Sequence, residues 1–208
     1  MKKKINNQRF WNRYAGFYDW EIRAFSGTAY QKMYGYIRQR LTDDMTVLEV
    51  ATGTGLIAIN IANAVKQLEA LDYSAKMIKV AKKKKVPGNL NFTVGDATAL
   101  DYPPAYFDAV IICNALHIMP QPEIVLENIR RVLKPDGLLI APCYSHGHIE
   151  QKTWDLNAKL LKHLGFETYG RWTVQQYVDF ITANGFSVDS WQVLNAAFPL
   201  VYLEATKR

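Results

Sequence analysis

From Thr46 onward, short apolar runs alternate along the chain with amphipathic stretches of helical periodicity. This alternation is typical of a mostly parallel sheet with helices packed on its faces. It predicts five strands, at Thr46 to Val50, Gln67 to Leu71, Leu90 to Val94, Ala109 to Cys113 and Leu138 to Pro142. It predicts helices at Leu56 to Ala64, Ser74 to Lys84, Pro122 to Leu133, Thr153 to Leu164 and Thr173 to Ala183. The expected fold class is therefore α/β and doubly wound.

The end of the chain departs from the parallel pattern. Phe186 to Leu194 and Phe198 to Thr206 are rich in β-forming residues, and too few residues separate them for a helical crossover. We expect them to pair as an antiparallel hairpin, which brings a Rossmann-like sheet to seven strands. A chain of 208 residues, 49% of them hydrophobic, is expected to form a single domain over residues 1–208.

The first forty-five residues differ in kind from the rest. They are unusually aromatic and are predicted to form two helices, with a break at Ser26-Gly27. Residues 46–208 then form the α/β core.

The formal net charge is +6, and the positive charge is concentrated in two runs, Lys2 to Lys4 and Lys82 to Lys85. Neither run is interleaved with aromatic residues, so we expect solvated segments and no nucleic-acid partner. A weak preference for acidic lipid head groups is the alternative, as a peripheral membrane contact. Two cysteines, no signal peptide and no transmembrane segment predict a cytoplasmic protein.

A glycine-rich turn follows the first predicted strand and opens a helix, with Gly53 and Gly55 as its glycines. Glycines allow a ligand to approach the backbone, and the helix start presents free N–H groups. Asp72 follows the second strand, where a carboxylate can accept hydrogen bonds from ribose hydroxyls. These features predict an adenosine-containing ligand at the carboxyl end of the sheet. They do not choose the ligand, because Gly53-x-Gly55-x-x-Ala58 also fits the dinucleotide fingerprint.

Further motifs accompany the turn, and they are Glu49, Asp72-Tyr73-Ser74-x-x-Met77, Gly95-Asp96-Ala97, the strand 107–113 leading to Asn114, Leu133 to Gly137, and Asn12 to Asp19. With these motifs, the chain resembles the class I S-adenosylmethionine (SAM)-dependent methyltransferases from about Asn12 to its end. Within that class it is similar to the ubiquinone and menaquinone C-methyltransferase group (methyltransferase domain 11). In this family the segment that corresponds to residues 1–45 forms a helical lid over the cofactor.

The resemblance implies SAM as cofactor and S-adenosylhomocysteine (SAH) as product. Asp72 would bind the ribose, Asp96 and Ala97 the adenine, and Tyr73 would border the adenine ring. The backbone of the glycine turn and the region of Asn114 would hold the methionine end. The cofactor-binding residues implied in this way are Tyr14, Tyr18, Glu49, Ala51, Thr52, Gly53, Gly55, Asp72, Tyr73, Met77, Asp96, Ala97 and Asn114.

One departure from the family pattern is Ala51, which stands where most members have a glycine. A methyl group is tolerated there if the backbone keeps φ negative, so this departure bears on the geometry of the turn and not on the ligand. Glu49 favours SAM over NAD, because a carboxylate repels a pyrophosphate and suits an ammonium group.

Methyl transfer from a sulfonium is an in-line displacement, to which a protein contributes mainly positioning and exclusion of water. Tyr14 and Tyr18 could stabilise the sulfonium by cation–π attraction. The candidates for a catalytic group are His117, His146, His148 and Tyr18. Cys143, His146 and His148 lack a fourth metal ligand, so we expect no metal site.

We expect a small-molecule or lipid-like acceptor, whose identity and methylated atom the sequence leaves open, as it does the oligomeric state. Two other functions stay open at this point. One is an NAD-dependent oxidoreductase, which the glycine spacing and Asp72 would allow. The other is a non-catalytic SAM-binding module on the same fold.

Overall fold

The computed structural model describes residues 7–146, 165–196 and 199–208. The predicted helix from Thr153 to Leu164 lies outside these residues. Five parallel strands form the centre of the sheet in the order β3-β2-β1-β4-β5. They are β1 (Thr46–Val50), β2 (Gln67–Asp72), β3 (Leu90–Val94), β4 (Phe107–Ile112) and β5 (Leu133–Ile140). All five predicted strands are present, so the α/β prediction is confirmed.

The predicted C-terminal hairpin is also present. β7 (Phe186–Leu194) and β8 (Leu200–Lys207) are antiparallel, and β8 pairs in turn with β5, again antiparallel. A two-residue strand, β6 (Cys143–Tyr144), pairs with β8 as well. Val201 of β8 has Cys143 on one side and Val193 on the other. Since β7 lies on one side of β8, β6 lies on the same side as β5 and continues its position in the sheet. The eight strands therefore fill seven positions.

Helices cover both faces of this sheet. In the described part of the chain they are α1 (Gln8–Tyr14), α2 (Tyr18–Arg40), α3 (Leu56–Ile61), α4 (Ala75–Ala81), α5 (Pro122–Val132) and α6 (Val174–Ala183). Local signals fix several starts. The Ser74 hydroxyl accepts from the N–H of Met77, and Thr173 forms a capping box with Gln176.

The predicted break at Ser26-Gly27 is wrong, since α2 runs through both residues and the chain turns instead at residues 15–17. Ser26 is buried, and its hydroxyl lies 3.1 Å from that of Tyr144. The same helix buries Ile22 before the pair and Ala29 after it. Tertiary packing on both sides therefore outweighs the low helix propensity of serine and glycine.

The core has two layers, one on each face of the sheet. Met33 and Ile37 of α2 belong to the layer that also contains Val47 of β1, whereas Val125 of α5 packs in the layer with Leu48. Neighbouring residues of β1 thus point to opposite faces, and both faces are buried, as a doubly wound sheet requires. Among the described residues, no helix is both long enough and apolar enough to span a bilayer.

Candidate functional site

A cavity of about 400 Å³ opens where β1, β2, β3 and β4 end. This volume falls within the range of small-molecule sites. Residues that follow four different strands line it, namely Ala51 and Gly53, Asp72 and Tyr73, Asp96 and Ala97, and Asn114. Tyr18 and Met77 line it as well. The cavity therefore brings together nine of the thirteen residues predicted to bind a cofactor.

The glycine turn between β1 and α3 has an unusual backbone. Ala51, Gly53 and Gly55 all have positive φ, at 56°, 58° and 76°. The condition under which alanine is tolerated without strain, a negative φ at Ala51, is therefore not met. The Thr52 N–H donates to the carbonyl of Leu71 over 2.9 Å, and this bond anchors the turn to β2. A left-handed alanine costs about 1–2 kcal/mol, so the turn is held against a local preference.

Asp72 joins the end of β2 to the glycine turn. Its Oδ2 accepts from the N–H of Gly53 and its Oδ1 from the N–H of Ser74, each over 2.8 Å. Burial raises the pKa of Asp72, and the two N–H donors oppose that shift by stabilising the carboxylate. A carboxylate oxygen can accept more than one hydrogen bond, so Asp72 keeps capacity for a ligand.

Glu49 lies behind the turn and does not line the cavity. Its side chain is buried and accepts from the hydroxyl of Thr52 over 2.7 Å. Burial raises the pKa of Glu49 to about 8, while the Thr52 hydroxyl lowers it. The three carboxylates predicted to surround a ligand are thus divided, because Asp72 and Asp96 face the cavity and Glu49 supports it from below. Thr52 and Gly55 also lie outside the lining.

Asp96 and Ala97 form the wall beyond β3. Asp96 is exposed, and its Oδ1 accepts from the N–H of Thr98 over 2.8 Å and from the Thr98 hydroxyl over 2.7 Å. The N–H of Gly95 donates to the carbonyl of Asp72 over 3.1 Å, which fixes the two predicted motifs relative to each other.

Asn114 carries an unpaired acceptor. Its Nδ2 donates to the hydroxyl of Tyr30 over 3.1 Å, but its Oδ1 is buried and has no hydrogen-bond partner among the described residues. Burying an unpaired acceptor costs about 1–3 kcal/mol. Since Asn114 also lines the cavity, a ligand with a hydrogen-bond donor would satisfy this oxygen.

Helix α1 lies beside the cavity, and its polar side chains bond to the loops around it. Gln8 donates to the carbonyl of Tyr73 over 2.8 Å, Asn12 accepts from the Ser74 hydroxyl over 2.7 Å, and Asn7 donates to the carbonyl of Ile118 over 3.0 Å. Asn7, Gln8 and Trp11 line the cavity. The sequence did not point to these three residues, and its only signal for them was the presence of polar side chains among aromatic ones.

The start of α2 is tied to the glycine turn. Asp19 accepts from the Thr54 hydroxyl and forms an ion pair of 2.5 Å with Lys84, whose Nζ also donates to the carbonyl of Thr54. Lys84 is therefore bonded to the start of α2 and the glycine turn, whereas the sequence placed it in a solvated lysine run. Tyr14 lies outside the cavity lining, stacks on Phe10 with ring centroids 5.3 Å apart, and has a pKa raised to about 12, mainly by burial.

The histidines lie behind the cavity. Burial lowers the pKa of His117 to about 3, and burial with Arg171 nearby lowers that of His146 to about 4. The Nδ1 of His117 is 3.4 Å from the sulfur of Cys143. Neither ring lines the cavity, and His148 lies outside the described residues. Within residues 7–146, 165–196 and 199–208, no three His, Cys, Asp or Glu side chains group as metal ligands.

Residues 48–141 match the model of a protein family described as a methyltransferase domain. The demethylmenaquinone methyltransferase of Renibacterium salmoninarum is 40% identical over 100 residues, which cover 48% of this chain and 41% of that protein. The ubiquinone/menaquinone biosynthesis C-methyltransferase UbiE of Rhizobium rhizogenes is 32% identical over 138 residues, covering 61% and 54%. The chain therefore matches less than two thirds of the length of either relative.

Two solved structures share the fold along nearly the whole chain. A SAM-dependent methyltransferase of Thermotoga maritima is 17% identical with a TM-score of 0.75, covering 98% of this chain and 100% of that one. The DhpI–SAH complex is 20% identical with a TM-score of 0.72, covering 96% and 94%. Residues 48–141, a little under half of the chain, therefore match a methyltransferase domain, and the chain has the fold of these two structures over nearly its whole length.

Proposed function

We propose that this protein transfers a methyl group from SAM to a small, quinone-like acceptor. One observation carries the proposal. A single cavity joins the glycine turn, Asp72, Asp96 and Asn114, which follow four successive strands of the sheet. These are the groups needed to hold a nucleoside at one end and an amino acid at the other.

The cofactor would lie across the strand ends from β3 to β4. Asp96 would accept from the adenine amine, and Asp72 would accept from the ribose hydroxyls with the lone pairs that Gly53 and Ser74 leave free. The Oδ1 of Asn114 would accept from the ammonium of the methionine moiety. This last contact favours SAM over NAD, because a pyrophosphate offers acceptors and no donor to that oxygen.

When bound, SAM supplies an electrophilic methyl group on a sulfonium. The protein has to aim the acceptor along the sulfur–methyl axis and to keep water out. Trp11 and Tyr18 line the cavity from α1 and α2 and serve both purposes. Burial and the surrounding polar groups raise the pKa of Tyr18, so its hydroxyl stays neutral and acts through hydrogen bonding and the π-face.

Two observations support a quinone-like acceptor, namely the names of the relatives and the apolar part of the cavity lining. The relatives are named as methyltransferases of demethylmenaquinone and of ubiquinone or menaquinone biosynthesis. In this chain Trp11, Ile118 and Met119 give the cavity an apolar wall beside its polar groups. A flat ring with an apolar tail fits such a wall, and an electron-rich carbon of a reduced quinone is a competent nucleophile for a sulfonium methyl.

The test is incubation of the protein with methyl-labelled SAM and a short-chain demethylmenaquinone kept reduced. We expect label in the quinone and an equal amount of SAH. Asn114→Ala should raise the KM for SAM about tenfold, because the hydrogen bond between the buried Oδ1 and the ammonium of SAM is lost. Asn60→Ala is the matched control, since Asn60 lies on α3 and bonds to Leu56. SAH binding without any transfer would favour a non-catalytic module instead.

A further inference from the structure

The most exposed large hydrophobic side chains of the described residues lie together at the start of α2. Phe17 is 67% exposed, Trp20 66% and Phe25 61%. The rings of Trp20 and Phe25 contact each other edge to face, with centroids 6.1 Å apart. We call these three residues the aromatic face. Single exposed apolar residues are ordinary, but three large rings within nine residues form a patch that needs a partner.

The charge around the aromatic face is positive. Residues 7–40 contain six basic residues and two acidic ones. Arg9, Arg13 and Arg23 are exposed. Asp19 pairs with Lys84, whereas Glu21 accepts from the neutral hydroxyl of Tyr14 and so offsets one positive charge. The basic residues of this segment still outnumber the acidic ones by four, so the segment that carries the aromatic face projects a net positive potential.

The aromatic face adjoins the cavity without forming part of it. Phe17 directly precedes Tyr18, and Trp11 and Tyr18 both line the cavity. None of the three residues of the face lines it. A partner bound to the face would therefore cover the side of the molecule next to the cavity without occupying the cavity itself.

We propose that the aromatic face and its arginines dock this protein on an anionic lipid surface. Tryptophan and phenylalanine partition into the interfacial region of a bilayer, and exposed arginines attract acidic head groups. A second copy of the chain fits less well. A two-fold interface pairs the same patch of both copies, so it would bring two positively charged surfaces together, and like charges across an interface repel.

The experiment is co-sedimentation of the protein with lipid vesicles. Wild type should bind vesicles that contain phosphatidylglycerol, bind pure phosphatidylcholine weakly, and lose affinity as salt screens the arginines. The variant Phe17→Ser/Trp20→Ser/Phe25→Ser should bind at least about tenfold more weakly. Trp191→Ser/Val193→Ser is the matched control, since both residues are exposed on β7, and it should bind as wild type does.

Two results would overturn the proposal. One is wild-type protein that does not sediment with phosphatidylglycerol vesicles, or a triple variant that binds them as well as wild type. The other is a wild-type dimer in sedimentation velocity that the triple variant dissociates, which would assign the face to a second copy. Urea unfolding of the triple variant verifies its fold without any ligand, so a failure here is distinguishable from a failure of the methyltransferase proposal.

Discussion

The segment that matches the family model, residues 48–141, and the N-terminal helices build the candidate site in different ways. In the first, backbone conformation dominates, with positive φ at Gly53 and Gly55 and backbone donors on Asp72. In the second, side chains dominate, with amide groups bonded to loop carbonyls and aromatic rings beside the cavity. A turn with positive φ favours glycine at particular positions, so it appears in the sequence as a motif with fixed spacing. A surface of aromatic side chains requires only that aromatic residues be frequent, so it has no such spacing.

The largest expected effect is that of Asp72→Ala. Loss of the carboxylate should weaken SAH binding by about a hundredfold and lower the free energy of unfolding by about 2–3 kcal/mol, because two backbone donors lose their acceptor. These donors are the N–H groups of Gly53 and Ser74. Calorimetric titration with SAH and urea unfolding measure the two effects. Asp101→Ala, at an exposed site, should alter neither.

The same substitution in the two regions should give opposite outcomes. A Cβ at Gly55 would lie 2.5 Å from Cζ of Phe92, whereas a Cβ at Gly16, between α1 and α2, would meet nothing within 4 Å. Gly55→Ala should therefore cost about 2 kcal/mol of unfolding free energy from overlap and positive φ, and Gly16→Ala close to none. If urea unfolding gave equal losses of free energy for the two variants, the glycine turn would depend on its backbone conformation no more than the N-terminal helices do.

Stability should also depend on pH through the buried ring of His117. The folded-state pKa of His117, about 3, lies below the ordinary value of 6.5, so the unfolded chain takes up the proton first as pH falls. Its contribution is complete above pH 6.5 and is lost progressively toward pH 3. Urea unfolding at pH 7 and at pH 5 should show His117→Gln with about 1–2 kcal/mol less pH dependence than wild type. An unchanged slope would mean that the ring takes up its proton in the fold as readily as in the unfolded chain.

The smallest effect is expected for Ala51→Gly. Glycine adopts the left-handed conformation of this turn without the alanine penalty, so the unfolding temperature should rise by an amount equivalent to about 1 kcal/mol. Ala105→Gly is the control, because Ala105 also has positive φ, at 52°, but is exposed and outside the cavity. Both changes should stabilise, and only the first should alter SAH affinity. A loss of stability at position 51 would contradict the assignment of strain to this turn.

The sequence predicted the sheet well because periodicity reports burial. Five parallel strands and the hairpin lie within a few residues of their predicted bounds, apart from β5, which begins at Leu133. That early start comes from the Leu-Lys-Pro-Asp-Gly segment, whose residues Lys134 to Gly137 form an irregularity in the pairing of β4 with β5. A turn motif and a bulged strand have the same residue preferences, so the sequence could not separate them.

The site was harder to predict wherever tertiary contacts decide. Spacing placed Asp72 beside the glycine turn, but no local rule withdraws Glu49 from the cavity or bonds Asn7 to the carbonyl of Ile118. Continuity of α2 through Ser26-Gly27 likewise depends on packing against distant strands. Such contacts join residues far apart in the chain and have no periodic signature.

The strand-end cavity is proposed to hold a nucleoside with its amino-acid end at Asn114. A crystal structure of the protein grown with SAH tests it most directly. We predict the adenine beside Asp96, the ribose hydroxyls on the Asp72 carboxylate, and the amino group within hydrogen-bond distance of the Asn114 Oδ1. SAH bound elsewhere, or bound in the cavity with its amino group turned away from Asn114, would contradict the claim.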